Sequence, residues 1–139
     1  MFTIRQIDHL VLRVIDVESM MKFYMEVLGC GLEKVQEDAG LYQLRAGTSL
    51  IDLIPVDGKL GSLGGAAPGT QGRNLDHFCL RIEPFDGDRI LEYLRARGYA
   101  TGRVESRYGA EGEGPSIYVD DPEGNVVELK GPPWVPADD

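Results

Sequence analysis

The stretch IDHLVLRV, residues 7–14, returns almost unchanged as LDHFCLRI at residues 75–82. Both run apolar, Asp, His, three apolar residues, Arg, apolar. The only two histidines of the chain, His9 and His77, occupy the same place in each copy. A repeat of this length, with a titratable ring held in register, marks a chain built from two copies of one module.

Each copy is followed by a helical pattern. DVESMMKFYMEVLGCG (16–31) places Met20, Phe23, Tyr24, Val27 and Leu28 at the spacing of one buried helix face. Asp16 caps its start, and Gly29 or Gly31 ends it. DGDRILEYLRARG (86–98) starts at an Asp86 cap, sets Phe85 and Ile90 at hydrophobic-staple positions, and stops at Gly98. Beyond each helix the period shortens to strands, around LYQLRAG and SLIDLIPV in the first half and SIYVDD and NVVELKG in the second. DDPEGN (120–125) reads as a tight turn, with Gly124 at the position that needs a positive φ. Each half therefore reads β-α-β-β-β. The modules span 4–57 and 75–131 of a single domain covering 1–139. A Gly-rich segment (58–74) joins them as a connector or a loop over a site, and a tail (132–139) follows. In that tail Trp134 is expected to bury its ring as an anchor.

LIDLI (50–54) and VVELK (126–130) form the last strand of their halves, and each sets one acid between apolar neighbours. Asp52 and Glu128 are thus equivalent, as His9 and His77 are. The second half is eight residues longer between its His and its acid, a difference the loop YGAEGEGP (108–115) could absorb. Strand alternation puts His9 on one face with Ile7, Val11 and Arg13, and His77 with Cys79 and Arg81. The opposite, apolar faces belong under the helices. The histidine faces then form a polar concave surface with Asp52, Glu128, Gln43, Ser116 and Tyr118. Cys79, inside the second histidine strand, is expected to be a small buried hydrophobe.

One such histidine alone is better explained as a satisfied core residue. Two histidines and two mid-strand acids, repeated in register, are better explained as half-sites for a cation, because an unpaired buried carboxylate is costly. Two neutral imidazoles and two carboxylates would neutralise one divalent ion, and the mixed N/O set suits Ni, Co, Zn, Fe or Mn.

Composition narrows the partners. Twenty-three acidic against fourteen basic residues give a formal charge of −9, which disfavours a nucleic-acid or acidic-membrane partner. Two isolated cysteines make neither a disulfide framework nor a thiolate zinc site. No apolar run reaches membrane-span length, and MFTIRQID lacks the apolar core of a signal peptide, so a cytoplasmic protein is expected.

The histidine strand, the helix with FYMEVLG (23–29), the second histidine strand and the terminal DDPEGNVVEL (120–129) together resemble the vicinal oxygen chelate superfamily, which includes glyoxalase I and bleomycin-resistance proteins. GAEGEGPSIYVDDPEGN (109–125) is similar to glyoxalase domain-containing protein 5-like proteins. The resemblance implies an α+β fold in which paired βαβββ modules form a cup-shaped half-barrel, commonly in a homodimer. It implies a divalent metal at His9, His77 and Glu128, with Asp52 at the fourth position, where glyoxalase I has the longer Glu. It also implies a small substrate that chelates the ion through neighbouring oxygens. Glu128 is the first candidate for a ligand that doubles as base in a lactoylglutathione-lyase-like isomerisation, with glutathione as co-substrate. Arg13 matches an arginine that in glyoxalase I meets the anionic end of glutathione, and Arg81 and Tyr118 are further candidate substrate contacts. The rivals are a non-haem iron ring-cleaving dioxygenase, an epimerase or thiol transferase on the same metal platform, and a metal-free protein that sequesters a cationic drug.

Overall fold

A computed structural model of the protein describes residues 1–136. The chain divides into two compact units, Met1–Asn74 and Leu75–Asp139, and both have the same topology. The first contains β1 (His9–Val14), helix α1 (Val17–Met21), β2 (Gly31–Gln36), β3 (Leu41–Ala46) and β4 (Ser49–Pro55). The second contains β5 (Phe78–Arg81), α2 (Gly87–Ala96), β6 (Glu105–Gly109), β7 (Gly112–Asp120) and β8 (Val126–Lys130). The sheet orders are β1-β4-β3-β2 and β5-β8-β7-β6, with the first two strands of each list parallel and the rest antiparallel. The expected β-α-β-β-β pattern therefore holds in each unit.

Local chemistry sets the boundaries. Asp16 Oδ1 accepts a hydrogen bond from Ser19 N at 3.2 Å and Asp86 Oδ1 one from Arg89 N at 3.3 Å, so both expected caps satisfy an otherwise orphaned helical N–H. Gly29 and Gly98 leave the helices at φ +87° and +85°. The first helix does not stay α-helical. It widens into a π-helical turn over Lys22–Val27, where Leu28 N donates to Phe23 O at 3.0 Å. Met20, Phe23 and Tyr24 are fully buried, while Val27 and Leu28, expected on the same face, are only half-buried. The wider turn rotates them away from the stripe that a 3.6-residue period describes.

The apolar strand faces build the cores as expected. Leu12, Val14, Leu44, Ile51 and Leu53 are buried in the first unit, and Ile117, Val119, Val127 and Leu129 in the second. α1 packs on β4 and α2 on β7.

In the 120–125 turn, Asp121 Oδ1 accepts from the backbone N–H of Glu123 and of Asn125, each at 2.9 Å. Gly124 takes φ +83° there. The extra length of the second half lies chiefly in the β6–β7 hairpin, as expected. Gln36 and Leu41 pair across β2–β3 five positions apart, whereas Glu105 and Ser116, at the matching place beside β8, are eleven apart, so the hairpin around residues 108–115 absorbs most of the difference. Among the described residues no helix is long and apolar enough to cross a membrane.

Candidate metal half-sites

The repeat in sequence becomes a repeat in register. Val11 lies opposite Asp52 in the β1–β4 ladder, and Cys79 lies opposite Glu128 in the β5–β8 ladder. Each acid is thus held across from the residue two beyond its histidine, on the face the histidine occupies. Both acids are buried, Asp52 at 3% and Glu128 at 6% exposure.

In the second unit His77 Nδ1 lies 2.6 Å from Asp76 Oδ2, and His77 Nε2 lies 3.4 Å from Glu128 Oε1. The ring is further fixed by an edge-on contact with Tyr118, centroids 5.3 Å apart. With Nδ1–H donating to Asp76, the Nε2 lone pair faces a carboxylate oxygen. Two acceptors so placed need a shared proton or a cation between them. Two ligands each about 2.1 Å from one ion, at tetrahedral to octahedral angles, are about 3.0–3.4 Å apart. The observed separation suits that arrangement.

The first unit repeats the device. Asp8 Oδ2 lies 2.7 Å from His9 Nδ1, while Asp8 O accepts from Leu50 N at 3.0 Å and so ties the residue to the end of β4. The His9 imidazole is pushed above its usual pKa, first by the Asp8 hydrogen bond and then by the Asp52 charge. Among the described residues the hydrogen-bond partner of the Asp52 side chain is Gln43 Nε2, at 3.3 and 3.5 Å. Buried carboxylates whose partners are an amide in the first unit and an imidazole and a thiol in the second are chemistry that fits a divalent cation. Among the described residues, no three His, Cys, Asp or Glu donors converge on one point. The donors come as two pairs.

Asp8 and Asp76 were not singled out from the sequence, although the signal was present. The dipeptide Asp-His stands at the head of both repeats, and a carboxylate on Nδ1 is what directs Nε2 toward a metal.

A cavity of about 300 Å³ opens in the second unit, lined among others by His77, Cys79, Arg81, Glu111, Glu128 and Lys130. Arg81 Nε donates to Glu111 Oε1 at 2.7 Å, and Arg81 Nη1 donates to Ile82 O at 2.8 Å. Cys79 is exposed rather than buried, because its strand position faces the cavity and not the core. Its thiol nevertheless rests over Glu128. Loss of water raises its pKa, the Glu128 charge and hydrogen bond raise it further, and Lys130 opposes them, leaving it pushed up to about 12.

Arg13 and Tyr118, the other candidate substrate contacts, are engaged within the protein. Arg13 donates to Gly61 O, Gly65 O and Ala66 O at 2.7–3.1 Å, so its guanidinium pins the Gly-rich segment. Arg107 stacks on Tyr118 at 4.1 Å and donates to Ser116 Oγ at 2.6 Å. The Trp134 ring is 60% exposed and does not anchor by burial. Instead its Nε1 donates to Ser106 Oγ and its N to Glu113 O, each at 2.8 Å.

Two four-stranded mixed sheets, each with one helix and one His–carboxylate pair in the same register, define an α+β protein of duplicated βαβββ modules. The family model for the Glyoxalase/Bleomycin resistance protein/Dioxygenase superfamily matches residues 6–129, and the chain belongs to that superfamily. It is 33% identical to the virulence protein STM3117 of Salmonella typhimurium over 132 residues, covering 91% of this chain and 83% of that protein. The crystal structure of the Salmonella protein superposes with a TM-score of 0.76 at 27% identity, over 94% of this chain and 99% of the other. TnmS3, an antibiotic-binding protein from Streptomyces sp. CB03234, gives 0.66 at 25% identity, over 95% and 99% of the two chains. A lactoylglutathione lyase from Agrobacterium tumefaciens shares the fold, with a TM-score of 0.65 at 17% identity over 93% and 95%.

Proposed function

We propose that the protein is a divalent-metal-dependent enzyme of the glyoxalase type, acting as a homodimer on a small substrate that chelates the ion through neighbouring oxygens. One observation carries this reading. Each unit aims a carboxylate-held histidine along the face of a buried acid, in the same ladder register. His9, Asp52, His77 and Glu128 would hold the ion. A bound divalent cation supplies Lewis acidity, stabilising negative charge that develops on a substrate oxygen.

The chain's own residues do the rest. Asp8 and Asp76 hold the two imidazoles in the tautomer whose Nε2 carries the lone pair. Glu128, nearly dry and beside His77, is the proton carrier. It takes the proton beside the substrate carbonyl and returns it to the adjacent carbon, as in a lactoylglutathione-lyase-like isomerisation with glutathione as co-substrate. Tyr118 keeps the His77 ring in place by its edge-on contact.

The antibiotic-binding relative supports a second reading, a metal-free cleft for a small molecule. Metal analysis of untagged protein decides between them, with wild type measured beside His77→Ala and Glu128→Ala. Bound divalent ion in wild type, lost in both variants, is the expected result. Wild type that takes up none of Ni, Co, Mn, Fe and Zn would leave the binding reading in its place.

A further inference from the structure

The cavity of the second unit carries a charge that the reaction above does not use. Lys130 ends β8, two residues past Glu128 and on the same face, about 6.6 Å along the strand. It is buried, at 6% exposure, and lines the cavity. Of the other charged groups of that lining, one pair is matched and Glu128 is the acid assigned to the ion. Arg81 pairs with Glu111 at 2.7 Å, and Glu128 faces His77 at 3.4 Å. Lys130 forms no ion pair with any carboxylate among the described residues, although Arg81, its neighbour across the β5–β8 ladder, forms two.

The backbone makes room for this side chain. A Cβ at Gly109 would lie 2.7 Å from Lys130 Cε, and one at Gly114 would lie 2.8 Å from Nζ. Two glycines on the adjoining hairpin thus leave the groove that the lysine fills. The stem is buried while the ammonium opens on the cavity with no carboxylate ion-paired to it among the described residues, so an anion that arrives with the ligand would meet an unmatched cation there.

We propose that Lys130 binds a carboxylate of the substrate, so that the substrate class is a small hydroxy- or oxo-acid carrying an anionic group beyond its chelating oxygens. This rests on the reading above for the ion and for the location of the substrate, and puts a free acid in place of the glutathione conjugate named there. A glyoxal-derived conjugate whose charges lie far from the reacting carbons would leave Lys130 unmatched, whereas a compact dicarboxylic hydroxy-acid would place one charge on it.

L-malate and L-lactate separate the two cases, since both offer a hydroxy-carboxylate and only malate has a second carboxylate. Calorimetric titration of the full chain should show malate binding about tenfold more tightly than lactate, as one charge-assisted contact allows. Lys130→Met and Lys130→Gln should each remove that preference by weakening malate while leaving lactate unchanged, and Lys130→Arg should keep part of it. The same titrations on protein stripped of metal keep the two proposals apart. A malate preference that depends on Lys130 and survives in stripped protein supports the anion site whatever metal analysis of wild type shows. Equal malate affinity in wild type, Lys130→Met and Lys130→Gln overturns the proposal, as does a wild type that binds neither acid or does not prefer malate.

Discussion

Asp76 Oδ2 lies 2.6 Å from His77 Nδ1, so the acid that precedes the histidine in sequence also sets which ring nitrogen is free. The Asp76 carboxylate is 95% exposed, and such a bond adds little to folding. Its value is orientation. Asp76→Asn should therefore leave urea stability within about 0.5 kcal/mol of wild type while weakening metal affinity about ten- to a hundredfold, as loss of a partner to a ligating histidine does. Competition with a chromophoric chelator measures the second effect and denaturation the first. A variant that unfolds early but binds metal normally would make Asp76 a structural residue.

The His9 imidazole titrates above its usual 6.5, chiefly because Asp8 accepts a hydrogen bond from its ring and secondarily because of the Asp52 charge. The folded-state pKa is raised, so the associated stability is complete below the unfolded value of 6.5 and fades as pH rises through the folded value. In metal-free protein followed by NMR, Asp8→Asn should move the His9 titration down by more than Asp52→Asn does. The reverse order would mean that the charge across the ladder, and not the adjacent hydrogen bond, governs this ring.

Cys79 sits in the cavity with its pKa pushed up to about 12, by loss of water first and by Glu128 next. At pH 8 almost none of it is thiolate, and iodoacetamide should modify it far more slowly than a free cysteine. Glu128→Gln removes the negative charge but not the desolvation, so the rate at this position should rise without reaching that of an exposed peptide thiol. Mass spectrometry of the labelled peptides resolves Cys79 from Cys30. An unchanged rate in Glu128→Gln would mean that the two side chains do not meet.

Arg13 spends its guanidinium on the carbonyls of Gly61, Gly65 and Ala66. Arg13→Ala should cost about 1–3 kcal/mol through those lost bonds and make the Gly-rich segment more sensitive to proteolysis. Gly61→Ala should do similar damage by another route, because a Cβ there would overlap Pro55 O. An Arg13→Ala protein that is as stable as wild type yet binds substrate poorly would instead place Arg13 at the substrate, the role the family resemblance implies.

Much of this was written into the order of residues. A period-2 pattern with a histidine and an acid at matching places can bury its apolar side only one way, since a slip by one residue would turn every side chain to the wrong face. Hence the duplicated βαβββ topology, the Asp16 and Asp86 caps, the Gly124 turn and the shared face of His77 and Glu128 all follow from the chain alone. What the sequence could not decide depends on distance between residues remote along the chain. The carbonyls that capture Arg13 lie about fifty positions away, and the strand ladder that exposes Cys79 to Glu128 is closed by contacts across the unit. The state of Lys130 is set the same way. A lysine in VVELK reads as an ordinary strand-end cation, and only the packing of two hairpin glycines around it, with Arg81 taking Glu111, leaves it buried at a cavity with its charge unmatched among the described residues. Period and spacing specify which face a residue occupies, while its burial and its partners are fixed only when distant segments come together.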